Sequence, residues 1–253
     1  MQAYGKGFSR VYNLMWTGFA AQVSPLIYDF YTNQVDSKDK KTLLDLCCGT
    51  GQLASYFLEQ GFEVTGLDLS EHMLAYASEN TSQFVEKAQA RFIKGDVSSF
   101  SLDIRFGLVV STFDALNHLP DETALKSCFF SVIQVLDDGG WFIFDLNTCE
   151  GLRRWNGCIV DDSNPQALII NRGLYLPQEK RSWTNITGFY LEENELYSRF
   201  DEIAYNTIFE MDWVQQALLD AGFRKAYPAR LADLSTPIES PESERRVFFV
   251  AQR

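Results

Sequence analysis

Residues 42–51 read TLLDLCCGTG, a short apolar run that carries one acid, Asp45, and ends in the glycines Gly49 and Gly51. An apolar run entering a tight turn marks a buried strand. Glycine in that turn lets the backbone approach a ligand that a Cβ would exclude. QLASYFLEQG (52–61) follows with helical periodicity and places Gly61 where a helix ends.

The same alternation continues outward. FEVTGLDLS (62–70) is a second buried strand, and Ser70 can cap the helix EHMLAYASEN (71–80). ARFIKGD (90–96) is a third strand, and FGLVVSTFDAL (106–116) is a fourth, introduced by the polar SLDIR (101–105). Asp121 and Glu122 open a helix running to Leu136, DDGG (137–140) is a turn, and WFIFDLN (141–147) is a fifth strand. Strands and helices at this spacing predict a mostly parallel sheet covered on both faces.

Both flanks differ. Val11, Leu14, Met15, Phe19, Val23, Leu26, Ile27 and Phe30 recur at helical spacing, with Pro25 expected to kink or divide the region and DSKDKK (36–41) as a polar connector. From Gly151 to Thr207 the periodicity becomes two. ALIINRGLYL (167–176), KRSWTNITGFYLEE (180–193) and ELYSRFDEIAYNTIF (195–209) predict an antiparallel meander after the fifth strand. MDWVQQALLDAGF (211–223) returns to helical spacing, and RRVFFVAQR (245–253) is a final strand, expected to run antiparallel. The reading is one α/β domain over 1–253, with a helical N-terminal segment at 1–40 and a β insertion at 151–207.

Composition narrows the function. With 46% hydrophobic and 22% charged residues, most of the chain is globular. A net charge of −12 disfavours nucleic-acid and anionic-membrane partners. Five cysteines, an odd number without a CxxC pair, suggest neither a disulfide framework nor a zinc site and fit a reducing compartment. No apolar run approaches a membrane span, so a cytoplasmic protein is expected.

Three acids stand at consecutive strand ends: Asp45, Asp68 and Asp96. Asp68 can accept both hydroxyls of a ribose. Asp96 can accept the exocyclic amine of adenine while the Val97 N–H donates to the ring. Each alone is equally a cap or turn residue. GTGQLA (49–54) also fits a dinucleotide fingerprint, although that reading needs neither Asp96 nor a late antiparallel strand.

DLCCGTG, followed by GLDLSEHML, GDV and FDALNHL, resembles the motif series of class I S-adenosylmethionine-dependent methyltransferases, which have a Rossmann-like fold. The pattern is most similar to small-molecule members such as sugar-amine N-methyltransferases. The resemblance implies S-adenosylmethionine as cofactor and S-adenosylhomocysteine as product. It puts Asp45 near the methionyl amino group and Gly49 and Gly51 along the methionine. It puts Asp68 on the ribose, Leu69 and Met73 against the adenine, and Asp96 and Val97 at the adenine edge. Ser111 and Phe113 lie beneath the sulfonium. Cys47 stands where the family carries its first glycine, which bears on backbone geometry.

Tyr4, Phe8, Tyr12 and Asn13 resemble the aromatic N-terminal lid of such enzymes, which carry an acid where this chain has Asn13; an ordinary core stripe is the alternative. His118 matches a histidine of the sugar-amine enzymes and is the candidate base, or else only orients or packs. Tyr12 and Cys47 are counted with the cofactor-binding residues; Tyr4, Asn147 and Trp155 are candidate substrate-pocket residues, and Trp183 and Tyr190 wall the pocket or fill sheet core. Asp114, Asn117, Asp145 and Asn147 lack a metal-binding spacing, so no metal is expected. The function expected is methyl transfer to an amine or hydroxyl of a small molecule. A protein or peptide methyltransferase and a non-catalytic S-adenosylmethionine-binding protein remain alternatives.

Overall fold

The computed structural model describes residues 4–34 and 40–253. Most of the expected connector, residues 36–39, lies outside the described residues. Helices α1 (Lys6–Met15) and α2 (Gly18–Thr32) lead into alternating units: β1 (Thr42–Leu46), α3 (Gln52–Glu59), β2 (Glu63–Asp68), α4 (Glu71–Asn80), α5 (Ser82–Val85), β3 (Ala90–Lys94), β4 (Phe106–Ser111), α6 (Glu122–Val135) and β5 (Leu136–Asn147). After α7 (Cys149–Arg153) come β6 (Gly157–Asn164), β7 (Ala167–Leu176), β8 (Arg181–Leu191) and β9 (Tyr197–Thr207). The chain closes with α8 (Met211–Asp220), β10 (Lys225–Arg230), β11 (Asp233–Pro237) and β12 (Arg246–Gln252).

An eight-stranded sheet has the order β11-β10-β12-β5-β4-β1-β2-β3. Its β3-β2-β1-β4-β5 portion is parallel, and β12 enters antiparallel beside β5. Strands β6 to β9 form a separate antiparallel sheet. The fold is therefore the expected Rossmann-like α/β arrangement with an antiparallel meander after the fifth strand. One core lies under α6 and α8 and includes Leu44, Val109, Phe129, Phe144 and Phe249. The other lies under α2 and α3 and includes Leu43, Phe57, Val110 and Ile143. Residues 43 and 44 supply opposite cores because strand side chains alternate.

Four local features differ from the expectation. Pro25 does not divide its region: it sits inside α2, and the break falls at Trp16–Thr17. The helix tolerates a missing backbone donor, a cost of about 3 kcal/mol, because Val23, Ile27, Phe30 and Tyr31 are all buried. The DDGG stretch lies within β5, where the β4 pairing shifts register and Gly139 takes a φ of 76°. Strand β6 is an exposed edge with no burial alternation to announce it. Strand β10 carries Pro228 mid-strand, which demotes a strand reading. Its carbonyl nonetheless accepts a bond from Ile238 N–H at 2.9 Å.

Candidate active site

The DLCCGTG turn is built from left-handed residues: Cys47 at φ 57°, Gly49 at 54° and Gly51 at 81°. Cys47 thus takes up, as a non-glycine residue, the geometry the family assigns to glycine, at a cost of roughly 1–2 kcal/mol. Gly51 has no such latitude. A Cβ there would lie 3.0 Å from both Ala77 Cα and Cβ on α4.

Asp68 fastens this turn. Its Oδ2 accepts the Gly49 N–H at 2.9 Å and its Oδ1 accepts the Ser70 N–H at 2.8 Å. Burial raises its pKa, and these backbone donors oppose the rise. Gly95 N–H donates to the Asp68 carbonyl at 3.0 Å, which brings Asp96 beside it. Asp96 Oδ1 accepts from Ser98 N–H and Oγ–H at 2.8 and 2.7 Å, a turn cap. Val97 is fully buried.

A cavity of about 600 Å³ opens at these strand ends. Tyr12, Cys47, Gly49, Asp68, Leu69 and Met73 line its β1–β2 end. Gly51, Asp96, Val97 and Ser111 are not in its wall. Asp45 lies in an adjoining recess of about 30 Å³, walled by Tyr12, Trp16 and Phe113. Its Oδ2 is buried with no hydrogen-bond partner among the described residues, as is Ser111 Oγ. Burial, then the nearby Asp68 charge, pushes the Asp45 pKa up to about 8, with a backbone bond from Ala54 opposing.

A carboxyl raised above its unfolded value destabilises the fold once it ionises, so this cost is absent at low pH and grows as pH rises from about 4 through 8. Asp45→Asn is expected to melt higher than wild type at pH 9, with the difference closing towards pH 5. A constant difference across this range, measured by calorimetry, contradicts the assignment.

At the other end, β4 runs into Phe113 at φ 66° and Asp114 at φ 50°. Two successive left-handed side-chain-bearing residues persist only where the surroundings hold them. Here the fully buried Asp145 carboxylate accepts both N–H groups, from Phe113 at 2.7 Å and Asp114 at 3.0 Å. Arg246 pairs with Asp145 and, at 2.6 Å, with Asp114 Oδ1, while its guanidinium lies over the Phe19 and Phe113 rings.

The turn leads into a 3₁₀ segment, Ala115–His118, that delivers His118 to the cavity wall. His118 Nε2 lies 3.3 Å from Tyr4 Oη. Burial lowers its pKa, against Asp114 and a backbone bond to Tyr205, so the ring is neutral at pH 7.

Asn147 is not in the cavity wall. Its N–H donates to Asn117 Oδ1 and its Nδ2 to Asn206 Oδ1, tying β5 to β9. Trp155 lines the cavity; Trp183 packs edge-on against Tyr205 instead, and Tyr190 packs under Arg10. Asp114 and Asp145 share Arg246, and the described residues hold no cluster arranged for a metal ion. His72 is exposed.

Helix α1 crosses the cavity between the two sheets. Tyr4 O accepts from Ser70 Oγ at 2.6 Å, Glu202 Oε1 accepts the Gly5 N–H at 2.9 Å, and Arg10 reaches Leu191 O at 2.7 Å. Tyr4, Phe8, Tyr12 and Trp16 all face the cavity. Asn13 Oδ1 accepts from Gln52 and Asn80 amides. Sequence reading alone does not single out Arg246, Trp16 or Thr112, since nothing in RRVFFVAQR marks which arginine turns inward.

The orphaned Asp45 oxygen, the paired acceptor Asp68 and the apolar Leu69 and Met73 fit the ammonium, ribose and adenine of S-adenosylmethionine. The comparisons agree. A methyltransferase domain family matches residues 43–140. YqeM of Bacillus subtilis (strain 168), a protein named as a methyltransferase, is 29% identical over 249 residues, spanning 95% of this chain and 98% of its own. A Streptomyces venezuelae dTDP-3-amino-3,4,6-trideoxy-alpha-D-glucopyranose N,N-dimethyltransferase is 31% identical over 134 residues, 51% of this chain and 53% of its own. An S-adenosylmethionine-dependent methyltransferase from Clostridium acetobutylicum ATCC 824 shares the fold with a TM-score of 0.78 at 22% identity over 97% of both chains. The sugar N-methyltransferase KedS8 from Streptoalloteichus sp ATCC 53650 gives 0.75 at 20% identity, over 100% of this chain and 96% of its own. The glycine turn and the sheet that carries it thus form a methyltransferase domain, in a chain similar along its whole length to methyltransferases and sharing the Rossmann-like fold of S-adenosylmethionine-dependent members.

Proposed function

We propose that the enzyme methylates an amine or hydroxyl of a small molecule, held between His118 and the inward face of the second sheet. One observation carries this reading. One cavity is lined by Asp68 and Met73 from the first sheet's strand ends, by His118 after β4, and by Trp155 and Thr184 of the insertion, with α1 residues Phe8 and Tyr12 in the same wall. Its volume of about 600 Å³ suits small ligands.

Bound S-adenosylmethionine supplies an electrophilic methyl group. The chain's work is alignment, water exclusion and proton removal. Asp68 would accept the ribose hydroxyls, Asp45 would receive the ammonium, and Leu69 and Met73 would flank the adenine. Phe113, Tyr12 and Trp16 line both the cavity and the Asp45 recess and would offer ring faces to the sulfonium cation. Neutral His118 takes the acceptor's proton. The five free cysteines and the net charge of −12 support a reducing, cytoplasmic setting and an uncharged or cationic acceptor.

Release of S-adenosylhomocysteine from a panel of small amines, alcohols and phenols tests the reading. Turnover confined to peptides, or no turnover with any acceptor despite tight cofactor binding, sinks it. Residues 5–16 are further expected to exchange amide hydrogens more slowly once S-adenosylhomocysteine binds, because α1 closes over it as a lid. Unchanged protection by mass spectrometry makes α1 ordinary core.

A further inference from the structure

The inward face of the second sheet carries buried polar atoms that no described residue partners. Antiparallel register defines that face. Ile159, Asn171, Ile186 and Glu202 form one cross-strand row, and Gly157, Gly173, Thr184 and Ala204 form the next. Both rows contribute to the cavity wall. Asn171 Oδ1 and Thr184 Oγ1 are buried and have no hydrogen-bond partner among the described residues. A Cβ at Gly173 would lie 1.9 Å from the Trp155 carbonyl, so this glycine lets the chain after α7 pass close over the sheet at Trp155, which lines the same cavity as Thr184.

A buried polar atom left unpaired costs stability, and apolar side chains of similar shape would avoid the cost. Such atoms at a cavity wall point to a ligand that completes them. The charges say which kind. The guanidiniums at the wall are Arg154 and Arg246. Arg154 is paired with Glu150 at 3.1 Å, and Arg246 is shared by Asp114 and Asp145. Among the described residues no lysine lines the cavity, burial lowers the His118 pKa, and Asp68 adds negative charge. A phosphate there would be desolvated without a free cation to meet it.

We propose that Asn171 and Thr184 form the recognition site for an uncharged hydroxylated part of the methyl acceptor, and that this acceptor carries no phosphate. An amide and a hydroxyl together offer both donors and acceptors, which is what a hydroxyl group requires. The proposal rests on reading the cavity as a methyl-acceptor site.

The test uses Thr184→Val and Asn171→Leu in the full chain. Melting temperature and S-adenosylhomocysteine affinity are measured first. Turnover is then measured on amino sugars and amino alcohols, each paired with its phosphate ester. Both variants are expected to melt at or above wild type, because an orphaned polar atom has been removed, and to bind S-adenosylhomocysteine as wild type does. Turnover of the neutral hydroxylated acceptor is expected to fall about tenfold. A melting temperature several degrees below wild type in both variants overturns the proposal, since the groups are then structural. Unchanged turnover, or preference for the phosphate ester, overturns it too. If only peptides are methylated, the small-molecule reading fails, while the melting data still decide what the two side chains do. If no acceptor turns over, the melting data decide alone.

Discussion

Asp68→Ala is expected to lower S-adenosylmethionine affinity at least a hundredfold while leaving the sheet intact. The carboxylate holds the Gly49 and Ser70 N–H groups at 2.9 and 2.8 Å, and it lines the cavity where the ribose belongs. Hydrogen bonds to a charged group contribute about 1.5–3 kcal/mol each, and losing two of them amounts to roughly 10²–10⁴ in affinity. Removing the acid also frees the turn: Gly49 N–H loses its acceptor, and Ser70 loses the bond that precedes its cap on α4 and its contact with Tyr4. Asp68→Asn keeps one acceptor oxygen and should fall between. The strand core is untouched, since Leu67 and Val64 still pack. Calorimetry showing unchanged affinity in the alanine variant would falsify the site assignment.

His118→Asn is expected to reduce turnover by about 10²–10⁴, the usual worth of a positioned base, with cofactor affinity nearly unchanged. Asn retains some hydrogen bonding to Tyr4 but cannot accept the proton at neutral pH. Wild-type pH dependence follows from the sign of the pKa shift. Burial lowers the His118 value below its ordinary 6.5, against Asp114 and the Tyr205 backbone. The neutral, competent ring therefore persists below pH 6.5, and the acid limb of the rate profile lies under that value. The limb should vanish in the asparagine variant. A loss of only tenfold would assign His118 to orienting the acceptor. A retained limb with wild-type turnover would remove it from the chemistry altogether.

These two residues differ in how far the sequence alone exposes them. Asp68 ends a six-residue strand, with the bonds that define it falling to residues 49 and 70. His118 is readable as a position after the fourth strand. Its partner Tyr4 is 114 residues away, and its neutrality depends on burial that no local pattern reports.

The parallel α/β sheet, the glycine turn, the strand-end acids and the antiparallel meander are all legible in local stretches of sequence. Each is a run of neighbours whose periodicity of 2 or 3.6, or whose turn chemistry, acts over a few residues. Only the tertiary structure decided that Arg246 bridges Asp114 and Asp145, 132 and 101 residues earlier, since an ion pair leaves no trace in either segment alone. It also decided that Asn147 braces β9 from outside the cavity wall, that Pro25 stays inside a helix, and that Pro228 lies within a strand. In those cases packing outweighed a local preference. The meander shows the same division most plainly. Alternation reveals two faces on each strand but not which one meets the cavity, and the register of β6 to β9 turns Asn171 and Thr184 inward, where Asn171 Oδ1 and Thr184 Oγ1 are buried without a partner among the described residues.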